Sequence, residues 1–340
     1  MSVAITTEAL KSLQELLKAP RRIAITTHHD PDGDAIGSSL GLGAVLEKLG
    51  HDVQVVLPNG PPEFLKWMPG YDLVIRHDRD AAAAEAAITG SEIVFCLDFN
   101  RTHRVKALQP ALDAARTRVL IDHHLDPAPF ATIAICDPSA CSTSQLVFDI
   151  LAAMGHEALI DRDAATCLYA GIMTDTGSFR FNSTIPHTFR VAAKLLDRGV
   201  AADRVYNAIN DDSSEHRLRL LGFALSERMQ VLPDLGVAIF SLGKEDLQRH
   251  NYQPGDTEGL VNYGLSIRGI RLSALFTQRK DEVRISLRSI GHLPVDKMTR
   301  EHFDGGGHAN AAGGRSSEPL EAAVDRFKSL LPAFISNHPA

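Results

Sequence analysis

The chain has 340 residues, of which 44% are hydrophobic and 23% charged, with a formal net charge of −7 at pH 7. That length accommodates two domains with a core each. The acidic balance argues against tight binding of long or duplex DNA or RNA, which needs an extended basic surface, and no apolar run is long enough to span a membrane. Four cysteines (Cys96, Cys136, Cys141, Cys167) lack Cys-x-x-Cys spacing and read as reduced, buried thiols. The N-terminus, Met1 to Glu8, has neither the basic nor the apolar region of a secretory leader, so the expected location is the cytoplasm.

Leu10, Leu13, Leu16 and Leu17 recur at helical spacing and predict a covering helix over residues 7–19. A strand over 22–26 then runs into Thr27-His28-His29-Asp30-Pro31-Asp32-Gly33-Asp34-Ala35-Ile36-Gly37-Ser38, and a helix follows until Gly50. Two histidines and three aspartates thus sit on a strand-to-helix turn, where open α/β sheets bind ligands. Carboxylates packed so closely repel unless a cation lies among them. Mixed imidazole and carboxylate donors suit manganese or zinc better than calcium. An Asp acting as a helix N-cap would account for part of the same pattern.

Val53–Leu57 predicts a second strand, followed by a Pro/Gly loop in which Phe64, Trp67 and Met68 read as a short helix on the core. Glu92–Leu97 reads as a strand buried on both faces and ends at Asp98; a helix is expected over 104–115. Arg118–Ile121 is a further strand, ending in Asp122-His123-His124. Ala131–Cys136 is another, and Ser142 caps the helix after it. The helix over 161–174 ends in Asp175, and helices continue to about Met229. This alternation predicts a parallel sheet with helices on both faces, with Asp or His at three successive strand ends.

The polar run Asn210–Ser214 marks the expected boundary. Beyond it come strands over 237–240, 271–278 and 283–288, the last two joined by the hairpin signal Lys280-Asp281-Glu282. Arg268, Arg271, Arg279, Lys280, Arg284, Arg288, Lys297 and Arg300 face three acids here, the one basic region of the chain. Gly305-Gly306-Gly307-His308 and Gly313-Gly314-Arg315 follow, read as a turn whose backbone N–H groups could cradle phosphate.

His28-x-x-Pro31-Asp32-Gly33-Asp34-Ala35-x-Gly37-Ser38, then Asp98, Asp122-His123-His124 and Asp175, resembles the motif set of the DHH phosphoesterases. Leu287-Arg288-Ser289 and Gly305-Gly306-Gly307-His308 resemble the DHH-associated C-terminal domain. The resemblance spans nearly the whole chain and implies an α/β catalytic domain over 1–205, a helical linker over 206–229 and a smaller α/β substrate domain over 230–335. It implies two divalent ions, by first choice Mn2+ with Mg2+ or Co2+ as alternatives. His28 and Asp32 would hold one ion and Asp34, His123 and Asp175 the other, with Asp98 bridging. Asp122 would orient His123, and His124 would face the scissile phosphate. A water deprotonated between two such ions is the attacking group this site type supplies. Arg288, Ser289, Gly305, Gly306, Gly307, His308 and Arg315 would bind substrate, with Arg104 within reach of phosphate. Compact members with this ending resemble nanoRNases, which degrade very short RNA and dephosphorylate the nucleoside bisphosphate pAp. A linear-dinucleotide phosphodiesterase and a catalytically silent nucleotide sensor are the alternatives, and a homodimer is compatible with all three.

Overall fold

The computed structural model describes residues 7–211 and 213–338. Residues 1–6, part of the leader reading, and Asp212, part of the expected boundary, lie outside the described residues. Two compact units result, Met1–Asp212 and Ser213–Ala340.

The first unit opens with α1 (Thr7–Leu16), β1 (Arg22–Thr27), α2 (Gly33–Lys48), β2 (Asp52–Leu57), β3 (Ile75–Arg76) and α3 (Ala81–Gly90). It continues with β4 (Ile93–Leu97), α4 (Gln109–Ala114), β5 (Arg118–Asp122), β6 (Ile133–Cys136), α5 (Thr143–Ala153), α6 (Arg162–Asp175), α7 (Pro186–Asp197) and α8 (Ala202–Tyr206). The strands pair in parallel in the order β3-β2-β1-β4-β5-β6. Period-two alternation divides the sheet's side chains between two cores. Ile23, Ile25, Phe95, Leu97, Val119 and Ile121 face α1, α2, α5, α6 and α7. Ala24, Val56, Val94, Cys96 and Leu120 face α3 and the residues around α4. Helices therefore cover both faces, as the continuous apolar strands require.

Strand order reverses between β1 and β4, which leaves a crevice at their carboxyl ends. Register then fixes what lines it. Thr27 lies opposite Leu97, and Leu97 opposite Ile121. His28, Asp98 and Asp122, each the next residue, leave the sheet side by side.

Helices α2 and α6 lie unusually close, for a reason visible in the glycines of α2. A Cβ at Gly37 would sit 2.4 Å from the Cys167 carbonyl oxygen, and one at Gly41 2.6 Å from Leu168 Cδ2. Gly37 and Gly41 are one helical step of four apart, so they form a bare groove into which α6 packs.

The second unit consists of α9 (Glu215–Glu227), β7 (Met229–Leu232), β8 (Val237–Leu242), α10 (Lys244–Arg249), α11 (Leu260–Gly264), β9 (Leu272–Gln278), β10 (Val283–Ser289), α12 (Val295–His302), β11 (Gly306–His308), β12 (Ala311–Ser316) and α13 (Leu320–Ser336). Its sheet runs β11-β12-β10-β9-β8-β7, antiparallel except for the parallel β8–β9 pair. Helices α12 and α13 cover one face and α9, α10 and α11 the other.

Several expectations need correction. The segment expected as a linker divides between the units: residues 207–211 form a π-helical turn ending the first. Helix α9 buries Leu220 and Ala224 against Phe240, Leu242 and Leu275 of the second unit, because its apolar face needs a sheet to cover it. The helix expected over 104–115 is a 3-10 segment, Thr102–Leu108, followed by the short α4. The glycine-rich run expected as a turn is a hairpin, with Gly306 opposite Gly313 and Gly307 opposite Ala312. Glycine is needed for that approach, since a Cβ at Gly305 would lie 2.1 Å from the Gly313 carbonyl oxygen. The cysteines are free thiols, although Cys136 is half-buried. No helix among the described residues is long and apolar enough to cross a membrane.

Candidate metal centre

The crevice gathers side chains from five segments. His28, after β1, is buried and turns Nδ1 to the His29 carbonyl oxygen at 2.9 Å. Its Nε2 stands 3.9 Å from Asp32 Oδ2 and 3.6 Å from Asp98 Oδ2. His29 instead lies partly exposed beside Asp30, 3.3 Å away. Asp32 does two things: Oδ1 caps α2 by accepting from the N–H groups of Asp34 and Ala35, while Oδ2 faces His28. The N-cap and ligand readings are therefore compatible.

Asp98 is the centre of the arrangement. It is 2% exposed and has φ +65°, a left-handed conformation that costs a non-glycine residue roughly 1 kcal/mol or more. That turn points one oxygen each way. Oδ2 meets His28, whereas Oδ1 lies 3.5 Å from His123 Nε2 and 3.8 Å from His124 Nδ1. His123 Nε2 is also 3.4 Å from Asp175 Oδ2, at the end of α6, and 3.9 Å from Asp34 Oδ2, in the first turn of α2. The close approach of α2 and α6 is what brings these two carboxylates to one imidazole.

Of the three groups of three donors that share Asp98, the third being Asp98, Asp122 and His124, two reach different oxygens of it: His28, Asp32 and Asp98, and Asp34, Asp98 and His123. Within each, the ligand atoms lie within 4.8 Å of one another. Donors on one first-row divalent ion, about 2.0–2.2 Å from it, stand roughly 3–3.5 Å apart, so the spacing suits an ion in each. Electrostatics agrees. Burial, reinforced by Asp98 and Asp175, holds the Asp34 carboxyl well above the ordinary carboxylate range. Burial likewise pushes Asp175 up to about 6, His123 opposing and Asp32 and Asp98 adding to it. Asp98 is held well below that range despite burial, because His123 and His28 bond to it. Both histidines are raised against their own burial, His123 by Asp175 and Asp98 and His28 chiefly by Asp98. A cluster that must keep protons to offset its own carboxylates is one that cations stabilise.

Two partners were missed in the sequence. The N-terminus of α5 delivers the Thr143 and Ser144 N–H groups to Asp34, at 2.6 and 2.9 Å, and the Thr143 hydroxyl donates to Asp98 Oδ1 at 3.0 Å. The run Ser142-Thr143-Ser144 signalled a cap, and its hydroxyl-rich composition after a strand end was the clue to more. Asp122 also corrects an expectation. It bonds His124, Oδ1 to Nδ1 at 2.7 Å, and not His123, whose Nδ1 faces the Ala140 carbonyl oxygen at 3.3 Å. Register explains it: Asp122 and His124 are two apart and project to the same side.

A model of the DHH family N-terminal domain matches residues 22–172, and a DHHA1 domain model matches residues 235–337. The bifunctional oligoribonuclease and PAP phosphatase NrnA of Thermus thermophilus is 32% identical over 307 residues, 90% of this chain and 88% of that protein. The chain belongs to the DHH family. Among solved structures, an exopolyphosphatase-related protein of Bacteroides fragilis superposes with a TM-score of 0.93 at 38% identity, covering 98% of both chains. The cyclic-di-AMP phosphodiesterase PdeA of Listeria monocytogenes is 28% identical over 95% of this chain, which spans 49% of that protein.

The remaining DHH-derived expectations fall as follows. Arg104 is exposed, and its charge acts on His28. In the DHHA1 unit, Arg288 is half-buried on β10, with Nη1 donating to the Leu287 carbonyl at 3.0 Å. Ser289, expected at the substrate, is buried: its hydroxyl donates to the Leu293 carbonyl and accepts from Asn310. Its place is therefore in bracing the loop beside the hairpin. Gly306, Gly307 and His308 form β11, with Gly305 just before it, and Arg315 on β12 lies between Glu282 and Asp304, 3.8 and 3.6 Å away.

Proposed function

We propose that this chain is a two-metal phosphoesterase that hydrolyses very short RNA to mononucleotides and pAp to AMP. The observation that carries the reading is Asp98, one carboxylate with its two oxygens turned toward two separate donor groups. The oligoribonuclease and PAP phosphatase named above supplies the substrate class.

His28, Asp32 and Asp98 would hold one ion, and Asp98, Asp34, His123 and Asp175 the second. Manganese is favoured because it accepts imidazole beside carboxylate, whereas magnesium prefers oxygen throughout. Bound divalent ions supply Lewis acidity and a water acidified to ionise near neutral pH. The protein's own groups do the rest. Asp122 fixes the His124 ring through Nδ1, which turns Nε2 outward to donate to a phosphoryl or leaving oxygen. The α5 N–H groups orient Asp34 and favour its ionised form, opposing the burial that raises it. Arg288, the Gly305–Gly307 run, His308 and Arg315 of the DHHA1 unit would recognise the rest of the substrate, with Arg104 contributing charge from the DHH unit.

The likeness to PdeA, a phosphodiesterase named for cyclic-di-AMP, favours a second reading within cyclic-dinucleotide turnover, in which this chain would cleave the linear dinucleotide pApA. One assay separates them: manganese-dependent turnover of a labelled RNA ladder, pAp and pApA, with Asp98→Ala as control. Rapid mononucleotide release from the shortest rungs and from pAp supports the first reading, and turnover of pApA alone the second. Silence on all substrates, with manganese bound, refutes both.

A further inference from the structure

His28 turns Nδ1 to the His29 carbonyl oxygen at 2.9 Å. A neutral ring nitrogen that faces a carbonyl carries the hydrogen, so Nε2 keeps its lone pair and presents it toward Asp32 and Asp98. Those two carboxylates favour the opposite tautomer, because a hydrogen on Nε2 can bond to either of them. An ion would then have to displace that proton first. The direction of the His29 carbonyl therefore governs how readily Nε2 serves a cation.

That direction is not the one the local sequence favours. The His29 carbonyl and the Asp30 N–H belong to one planar peptide and point opposite ways. Asp30 has φ +56°, although it precedes Pro31, and a residue before proline favours extended backbone with negative φ. Turning this peptide over would return φ of Asp30 to the ordinary negative range and swing the His29 carbonyl off the imidazole.

One side chain opposes the turn. Asn59, two residues beyond β2, accepts from the Asp30 N–H through Oδ1 at 2.7 Å, and its Nδ2 donates to Asp30 Oδ1 at 3.1 Å. This reciprocal pair fixes which end of the amide is which, since the swapped orientation sets donor against donor. Asn59 is itself braced. Its Nδ2 also donates to the Gly60 carbonyl at 3.3 Å, the Gly60 N–H bonds the Asp78 carboxylate, and Arg76 forks Asp78 at 3.0 and 2.6 Å. The peptide before His29 has a different anchor, its N–H donating to the Arg104 carbonyl at 2.8 Å. Only the plane between residues 29 and 30 depends on Asn59.

We propose that Asn59 is a positioning residue for His28. It holds the peptide between His29 and Asp30 turned over, aims the His29 carbonyl at Nδ1, and so keeps Nε2 open to an ion that Asn59 itself never touches. The inference rests on the two-metal reading above and adds to it the residue that sets the tautomer of one ligand.

Two measurements on the full chain test it. In metal-free protein carrying isotope-labelled histidine, at alkaline pH where the ring is neutral, the ring-nitrogen shifts should report hydrogen on Nδ1 of His28 in the wild type. Asn59→Ala should move that hydrogen toward Nε2, and manganese binding in calorimetry should weaken roughly 10- to 100-fold. Combining Asp30→Asn with Asn59→Asp exchanges the two side chains and reforms both bonds, so tautomer and affinity should return to wild type. An unchanged tautomer in Asn59→Ala, an unchanged affinity, or an exchange variant that behaves like Asn59→Ala would overturn the proposal. A wild-type chain that binds no manganese would instead refute the two-metal reading, and the tautomer comparison, made without metal, would then judge Asn59 alone.

Discussion

Replacing Gly37 by Ala sets two effects of opposite sign against each other. Alanine inside α2 gains about 0.5–1 kcal/mol over glycine from backbone entropy. Its Cβ, however, would lie 2.4 Å from the Cys167 carbonyl oxygen and 3.0 Å from Gly171 N. Both are backbone atoms and cannot rotate aside. Ordinary contact begins at 3.4 Å, so α2 and α6 must part by about 1 Å, and overpacking of that size costs about 1–3 kcal/mol. The clash wins by about 1–2 kcal/mol, a fall in Tm of roughly 2–8 °C for a unit of this size. Gly43→Ala, in the same helix, meets nothing nearer than Val55 Cγ2 at 3.5 Å, keeps the entropic gain and should raise Tm slightly. The same parting separates Asp34 from Asp175, so Gly37→Ala should also weaken manganese binding by about tenfold or more in calorimetry. If both variants melt higher than wild type, with metal affinity intact, the contact at Gly37 does not hold the centre together.

Thr143→Val keeps the backbone N–H on Asp34 but removes the hydroxyl on Asp98; manganese affinity measured by calorimetry should fall roughly 10- to 100-fold, and Thr143→Ser should recover most of it. Asp122→Asn removes the charge behind His124 and should lower kcat on pAp by about 10- to 100-fold with manganese affinity near wild type; an equal loss of metal would reassign Asp122. In the second unit, burial pushes Asp246 up, but the Arg228 fork at 2.9 and 3.0 Å and the Gly243 N–H outweigh it and hold its carboxyl below the usual range. A depressed folded-state pKa stabilises above the unfolded value and ceases to do so as pH falls through the folded one. Asp246→Asn should therefore melt lower than wild type at neutral pH, the gap closing below about pH 4; a gap constant in pH would show that packing, not charge, makes the difference.

Much of the centre was legible because its donors follow apolar strands directly: His28 after β1, Asp98 after β4, and Asp122 at the end of β5 before His123 and His124. Each strand end announces itself where a fully buried run meets a charged residue. Thr143 was not legible in that way, since its role depends on where the N-terminus of α5 lands against residues 45 and 109 positions earlier. The partner of Asp122 was misread because sequence adjacency favours His123, whereas side-chain alternation favours His124. The Gly305–Gly314 region misled for a related reason. Glycine density signals close backbone approach but does not say to what, and here the neighbour is another strand.

The left-handed turn at Asp98 gives the centre a bearing on how the fold is completed. The donors of the two groups come from residues 28 to 175, on segments that meet only when the reversal between β1 and β4 is formed and α6 lies in the groove of α2. An ion held there recognises the finished unit and no earlier form of it. Occupancy would then add RT ln(1 + [ion]/Kd) to the native state alone, and the melting temperature of the DHH unit would become a gauge of divalent ion supply.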